Sequence, residues 1–378
     1  MIWLRRIALA LAVLAGAMGL GWAMTPAGTG SALWVIVSLL AGREPLPFAP
    51  AVDQRRTEWT VEGRTRQGDI WLRQDGWERA SLILVPGASK AGRDDSRLML
   101  MARLLAETGF RVIVPELPGM EKLHVLPDHP RAIADAVRVA TDRIDPAARQ
   151  VGIGAVSYSL VPSIRAALEP DIAADVQGIF ALGGFYDAEA VIRFFTTGAY
   201  RGPLDESWQF QPPNAGGIWV FLDANLDRLS DPADRGLLGI MAQRRLTDPS
   251  APLDDLAAGL GPEGRALFGL IRNDDPDAVG EFIAALPAPL REAIAALSLA
   301  DLDLSGLSAS VTLVHSRHDG TVPYTESESL IEALPPGQGH LVLLDDLSHA
   351  DIGSLSVKDA FSLWGAALRL MQFRQDAG

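Results

Sequence analysis

Short runs of consecutive apolar residues alternate along the chain with segments whose apolar positions recur at helical spacing. Such runs are typical of strands buried on both faces of a sheet. They occupy residues 81–86, 111–115, 151–155, 176–184, 310–316 and 340–346. Helical spacing appears at 95–108, 130–143, 158–168, 325–334 and 356–373. The alternation predicts an α/β fold with a mostly parallel sheet and helices on both of its faces.

Two earlier segments have a different pattern. EWTVEG at 58–63 and DIWLRQ at 69–74 alternate between apolar and polar residues. This period of two is typical of strands with one face in solvent. We expect the two segments to pair as antiparallel strands.

The strand pattern is interrupted between 187 and 307, where amphipathic helical segments are separated by turns rich in Pro, Gly and Asp. An insertion between two strands of one sheet lies over the carboxyl edge of the sheet, where open α/β folds bind ligands. We interpret this segment as a large helical cap. The expected organisation is a membrane segment at 1–42, a linker at 43–56, a core in two parts at 57–186 and 308–378, and the cap at 187–307.

The N-terminal segment predicts a membrane helix. Arg5 and Arg6 precede an uninterrupted apolar run at 7–24. As a helix this run is about 27 Å long, close to the hydrocarbon thickness of a bilayer. The positive charges orient the rest of the chain to the non-cytoplasmic side. We favour an uncleaved anchor. The alternative is secretion after cleavage of a signal peptide near Gly21 and Ala23.

A second apolar stretch at 32–41 is too short to span a membrane. It fits either a helix in the membrane interface or a buried helix packed on the domain.

Charge and composition exclude several classes of protein. The 33 Lys and Arg residues against 47 Asp and Glu residues give a net charge of −14, which argues against nucleic acid as a partner. The chain has no cysteine, so it forms no disulfides and has no thiolate nucleophile. No metal-ligand spacing and no glycine-rich nucleotide loop is present, so we expect neither a metal nor a cofactor.

Three residues of the types needed for nucleophilic catalysis each follow a predicted strand. Ser157 lies in VGIGAVSYSLVPS at 151–163, Asp319 follows the strand at 310–316, and His349 follows the strand at 340–346. A hydroxyl nucleophile needs a base, and the base needs a carboxylate to orient it. Because carboxyl ends of parallel strands share one edge, we expect the three side chains to meet. Asp187, after the strand at 176–184, is the alternative acid.

Several segments resemble the α/β-hydrolase superfamily. VHSRHDGTVP at 314–323 is similar to its segment around the catalytic acid. LVPGAS at 84–89 resembles the oxyanion-hole segment, and VIVPELPGM at 112–120 resembles the next strand and its Pro-Gly loop. The resemblance runs from about residue 58 to 373, with the cap as the divergent part. No specific characterised member is indicated.

The resemblance implies roles for individual residues. Ser157 would be the nucleophile, His349 the base and Asp319 the orienting acid. The backbone N–H groups of Ala88 and Tyr158 would form the oxyanion hole, with Gly87 allowing close approach of the loop. In place of the two glycines of the family's Gly-x-Ser-x-Gly motif this chain has Ala155 and Ser159.

The remaining histidines have other predicted places. We expect His315 to be structural and His318 to line the entrance of the site. Three more are expected in loops or on the surface: His124, His129 and His340.

The sequence therefore predicts a membrane-anchored or exported serine hydrolase that cleaves a carboxylic ester or thioester. The apolar cap and the anchor favour a small-molecule substrate with an apolar or acyl part. A peptidase, lactonase or dienelactone-type hydrolase is the alternative within this class. An inactive binding or scaffold protein with a hydrolase fold is the alternative outside it.

Overall fold

The computed structural model describes residues 30–32, 34–35, 49–142, 151–345 and 357–376. The predicted membrane helix at 7–24 lies outside these ranges. Within them, no helix is both long and apolar enough to cross a bilayer.

Within the described residues, a mixed sheet of eight strands forms the centre of the protein. Its order is β1-β2-β4-β3-β5-β6-β9-β10. The strands are β1 Val52–Val61, β2 Arg64–Arg73, β3 Ala80–Val85, β4 Phe110–Pro115, β5 Val151–Val156, β6 Val176–Leu182, β9 Ser310–Ser316 and β10 Gly339–Leu344. β1 pairs with β2, and β2 with β4, in antiparallel orientation; the other pairs are parallel. The predicted antiparallel pair and mostly parallel sheet are confirmed.

Helices follow the strands where the periodicity predicts them. In the first part of the core these are α1 Ser96–Glu107, α2 His129–Asp142 and α3 Leu160–Ala167; in the second part they are α11 Thr325–Ala333 and α12 Val357–Asp376. Asp95 caps α1, because its carboxylate accepts the Arg97 N–H at 2.9 Å. All six residues of β3 are buried, as a strand covered by helices on both faces must be.

The helical insertion (residues 187–307) lies between β6 and β9. Its helices are α4 Ala188–Thr197, α5 Gly217–Asn225, α6 Pro232–Thr247, α7 Asp254–Ala257, α8 Pro262–Arg272, α9 Val279–Ala284 and α10 Ala288–Ala296. The insertion also contains two antiparallel strands of two residues each, β7 Ala199–Tyr200 and β8 Gln209–Phe210. Buried side chains such as Leu238 and Met241 of α6 give the insertion a core of its own.

The insertion also contacts the carboxyl edge of the sheet. The Asn214 N–H donates to the Gly320 carbonyl at 2.6 Å, and the Gln211 side chain donates to the Asp319 carbonyl at 3.3 Å. These bonds connect the insertion to the loop after β9. They place part of it beside the predicted acid, where a cap is expected.

The described part of the second apolar stretch packs on the domain. Ala32 and Val35 are buried against a cluster that contains Phe110 and Met371. The Trp34 indole donates to the Glu107 carboxylate at 2.9 Å. Of the two interpretations of this stretch, the contacts of these residues fit the buried one.

Candidate active site

Ser157 occupies a strained turn between β5 and α3. Its φ is +56°, in the left-handed region that costs an L-residue with a side chain about 1–2 kcal/mol. Ser157 is the first residue of a short 3₁₀ turn, Ser157–Ser159, and α3 begins directly after it at Leu160. Strain of this kind persists where the surrounding structure imposes it, and it is concentrated at functional sites. The turn places Ser157 directly after the end of the buried strand β5.

Ser159 closes this turn with its hydroxyl. The oxygen accepts the N–H of Val156 at 2.8 Å and is 2.9 Å from the Val156 carbonyl oxygen and 3.3 Å from that of Val85. Ser159 is fully buried. The residue that replaces the expected glycine therefore fits the turn and ties it to the end of β3.

Gly87 brings the loop after β3 close to the serine turn. A Cβ built at this position would lie 3.1 Å from the Val156 carbonyl oxygen and 3.2 Å from Val156 Cγ1. Only a residue without a side chain fits comfortably at this separation. Ala88 lies in the loop after β3 and Tyr158 in the turn after β5, and these neighbouring strands pair at Val85 and Ala155. The predicted oxyanion residues thus lie in adjacent loops.

Asp319 is held in the loop after β9 by backbone donors. One carboxylate oxygen accepts the N–H groups of Thr321 at 2.7 Å and Val322 at 3.0 Å. The side chain is buried. Hydrogen bonds of this kind fix the orientation of the carboxylate.

Strand order sets the spacing between Ser157 and Asp319. β5 and β9 flank β6, with Val156 paired to Leu182 and Leu182 to Val314. Two strand spacings are about 10 Å. Ser157 and Asp319 thus follow strand ends on the same edge of the sheet. The separation of the two strands leaves space for a side chain between the two residues. His349 lies outside the described residues, five positions beyond the end of β10, the neighbour of β9.

The alternative acid, Asp187, has another structural task. It caps α4 by accepting the Glu189 N–H at 3.0 Å, and the same oxygen accepts the Ser298 hydroxyl at 2.9 Å. Its carboxylate therefore stabilises the start of the insertion. This observation favours Asp319 over Asp187.

His315 packs beneath the loop that carries Asp319. Nδ1 accepts the Ser327 hydroxyl at 2.7 Å, and Nε2 donates to the Val322 carbonyl at 3.0 Å, with Asp319 Oδ2 3.4 Å away. The imidazole is fully buried. The structural role predicted for His315 is confirmed.

The expectation that His129 lies in a loop or on the surface is wrong. His129 is the first residue of α2 and is fully buried, and burial lowers its pKa. Nε2 donates to the Pro118 carbonyl at 2.8 Å, and Nδ1 lies 3.5 Å from the Tyr158 hydroxyl. Burial raises the pKa of that phenol. His129 contacts the Pro-Gly loop before α2, and the pattern of polar and apolar residues along the sequence does not reveal such a contact.

Comparison with solved structures assigns the architecture. An esterase of Rhizomucor miehei superposes with a TM-score of 0.52 at 13% identity, covering 87% of this chain and 86% of that one. A candidate hydrolase of Legionella pneumophila superposes with a TM-score of 0.53 at 12% identity, covering 90% and 94%. The chain has the α/β-hydrolase fold. No protein-family model and no curated protein matches the sequence.

Within this α/β-hydrolase fold, a buried acid that the sequence pattern does not indicate contacts Asp187, the alternative acid. Glu326 of α11 accepts the N–H groups of Tyr186 at 3.1 Å and Asp187 at 2.7 Å. Burial, reinforced by the charge of Asp187, raises the pKa of its carboxyl to about 7. Glu326 joins the loop after β6 to the helix after the Asp319 loop. A glutamate in the first turn of a helix gives no sequence signal for such a contact.

The described residues do not form a metal site. In those ranges, no group of three or more Asp, Glu or His side chains is placed to hold an ion.

Proposed function

We propose that this protein is a serine hydrolase that cleaves a carboxylic ester or thioester through an acyl-enzyme on Ser157. The observation that carries the proposal is the left-handed backbone of Ser157, a residue with a side chain, at the end of a buried parallel strand. A strand-to-helix turn of this kind exposes a hydroxyl at the sheet edge. The fold alone would not justify an activity.

In the proposed mechanism, Ser157 Oγ attacks the substrate carbonyl while His349 takes its proton. Asp319, held by Thr321 and Val322, orients the imidazole and stabilises its charged form. The leaving group departs with a proton from His349. Water then attacks the acyl-enzyme, again with His349 as base, and releases the acid and free Ser157.

The oxyanion formed in each step would be held by the N–H groups of Ala88 and Tyr158. Support comes from the close approach of Gly87 to Val156, which brings the loop after β3 against the serine turn. Fixed backbone donors stabilise developing charge without reorganising during the reaction.

The test is covalent labelling of the full-length chain by a fluorophosphonate probe. We expect the wild type to be labelled at Ser157, and the Ser157→Ala variant to remain unlabelled. Ser163→Ala is the matched control, because Ser163 is buried on α3 and its hydroxyl has no hydrogen-bond partner among the described residues. Equal labelling of the wild type and Ser157→Ala would exclude the proposed nucleophile.

We also propose that residues 7–24 anchor the protein in a membrane, with the hydrolase part on the non-cytoplasmic side. The apolar run and the preceding Arg5 and Arg6 support this placement. A reporter enzyme active only outside the cytoplasm, fused after residue 378, should be active and remain in the membrane fraction. A soluble, active fusion would indicate cleavage instead.

A further inference from the structure

The described part of the second apolar stretch packs at the amino edge of the sheet, which is formed by the amino ends of the parallel strands and lies opposite Ser157. The Trp34 indole donates to the carboxylate of Glu107, the last residue of α1, at 2.9 Å. The Ser31 hydroxyl accepts Nη1 of Arg374, near the end of α12, at 3.1 Å. Because a helix that connects parallel strands runs back toward their amino ends, these bonds place the stretch at the amino edge.

The N-terminal chain therefore joins the domain at this edge. Gly30 is exposed, and only residues 25–29 separate it from the proposed membrane helix at 7–24. A chain of six residues reaches at most about 22 Å. Strand β5 is itself about 20 Å long, and Ser157 follows its far end. An anchor attached so closely holds the amino edge near the bilayer and leaves the Ser157 edge farther away.

An exposed aromatic residue surrounded by arginines lies on the same edge. Trp77, in the loop between β2 and β3, is 38% exposed. Three guanidinium groups lie over its ring, at 4.8 Å from the centroid for Arg73, 5.1 Å for Arg79 and 5.4 Å for Arg374. We call Trp77 and these three arginines the amino-edge patch. Arg374 also binds Ser31, so the patch adjoins the N-terminal chain.

The amino-edge patch has an excess of positive charge. Arg73 Nε donates to Asp75 Oδ1 at 2.8 Å, whereas Arg79 and Arg374 form no ion pair with a carboxylate of the described residues. Burial and the charges of Arg79 and Arg73 lower the pKa of the Arg374 guanidinium. The other acid of the loop, Glu78, accepts the backbone N–H of Arg73 at 3.1 Å. An anion bound at this edge would reduce the repulsion between the guanidinium groups.

These features are typical of a surface that contacts a membrane. Tryptophan is enriched at the level of the lipid headgroups, and the guanidinium group of arginine binds phosphate through two parallel hydrogen bonds. The helical insertion offers another candidate surface, since Leu204 is 85% and Phe210 66% exposed. The bonds of Ser31 and Trp34 to the ends of α12 and α1 favour the amino edge.

We propose that the amino-edge patch docks on the anionic phospholipid headgroups of the membrane that holds residues 7–24, so that the edge with Ser157 opens to the aqueous compartment. The proposal rests on the membrane anchor proposed above, and it does not depend on the hydrolase activity. Trp77 lies at the level of the headgroups, and the exposed Arg79 binds lipid phosphate. A water-soluble substrate then reaches Ser157 from the aqueous side, and anchoring alone does not bring lipid to this residue.

The first test uses the absence of cysteine from the chain. Gln74→Cys and Leu204→Cys introduce single labelling sites in the full-length protein, at exposed positions of the β2–β3 loop and of the insertion. Each variant receives a nitrobenzoxadiazole label and is reconstituted in vesicles of equimolar phosphatidylcholine and phosphatidylglycerol. We expect a nitroxide on the lipid headgroup to quench the label at position 74 and to leave that at position 204 unquenched. Equal quenching, or stronger quenching at 204, would overturn the proposal.

The charge of Arg79 provides the second test. In the Gln74→Cys background, Arg79→Gln should lower the ratio of docked to undocked protein, obtained from the quenching, about fivefold, since a basic residue near an anionic lipid surface contributes about that factor. Arg131→Gln is the matched control, because Arg131 is exposed in the first turn of α2, at the opposite edge. It should leave the ratio unchanged. Equal ratios in the two variants would overturn the assignment of the patch.

Flotation of the labelled vesicles separates the anchor from the docking. Protein that does not float with the vesicles would reject both proposals. Protein that floats but is quenched at neither position would reject the docking and leave the anchor standing. Fluorophosphonate labelling of Ser157 tests the hydrolase separately, so neither result decides the other.

Discussion

The hydroxyl of Ser159 accepts a hydrogen bond from the N–H of Val156, at 2.8 Å, across the turn that carries Ser157. The family motif has glycine at the position of Ser159, and glycine leaves such an N–H to other partners. Here a side chain satisfies it and lies 3.3 Å from the Val85 carbonyl oxygen at the end of β3. The departure from the motif thus provides a bond that fixes the turn.

Replacing Ser159 by Ala should therefore destabilise the protein and disturb catalysis together. The partly buried Val156 N–H loses its partner, which costs about 1–3 kcal/mol. Urea unfolding and kcat/KM measure the two effects. Ser163→Ala removes a buried hydroxyl without a partner among the described residues, so it should be neutral. Similar stabilities of the two variants would show that the Ser159 bonds contribute nothing.

Backbone strain at Ser157 predicts opposite effects of glycine at two serines. Ser157→Gly should be more stable than Ser157→Ala by about 1 kcal/mol, since glycine adopts positive φ without a steric cost. At Ser163, inside α3, glycine should be less stable than alanine by about 1 kcal/mol. Thermal unfolding of the four variants tests this reversal. If the glycine variant is more stable than the alanine variant at both positions, or less stable at both, the strained turn at Ser157 is contradicted.

Asp319→Asn should remove the charge while keeping the loop. An amide oxygen can still accept the N–H groups of Thr321 and Val322, so the fold should persist. In the proposed mechanism that charge orients the base, so its loss should lower kcat by on the order of 10³- to 10⁴-fold. Asp187→Asn is the control: its amide oxygen can still cap α4, and the variant should retain most activity. A large loss of kcat in Asp187→Asn, with most activity retained in Asp319→Asn, would identify Asp187 as the acid.

The sequence predicts the strands of the core well because each is a continuous apolar run. β3, β5 and β9 lie within about one residue of their predicted bounds, since burial on both faces allows few other patterns. The sequence indicates Ser157 by its position after the apolar run at 151–155. Its positive φ became visible only in three dimensions.

Contacts between distant segments could not be predicted in the same way. The bonds of Glu326 to Tyr186 and Asp187 span about 140 positions, and a glutamate near a helix start is ordinarily a surface residue. The burial of His129 likewise depends on the path of the loop around Pro118. Periodicity describes which face of an element is apolar, and it carries no information on which loops meet.

Glu326 should make the stability of the protein fall as the pH rises from about 4.5 to 7. Burial raises the pKa of its carboxyl from 4.5 to about 7. Below 4.5 the group is protonated in both states. Above that pH the unfolded chain loses the proton readily and the folded protein retains it, so folding is penalised increasingly until about pH 7.

Glu326→Gln should remove this pH dependence and be more stable at pH 8 by on the order of 3 kcal/mol. Both backbone donors reach the same oxygen, Oε2, so one amide oxygen can accept both. The measurement is the free energy of unfolding in urea between pH 4 and 8, as a difference from the wild type. Glu332→Gln, an exposed change on the same helix, should run parallel to the wild type. A parallel curve for Glu326→Gln as well would mean that Glu326 is ionised at its ordinary pKa in the folded protein, and that its burial does not hold the proton.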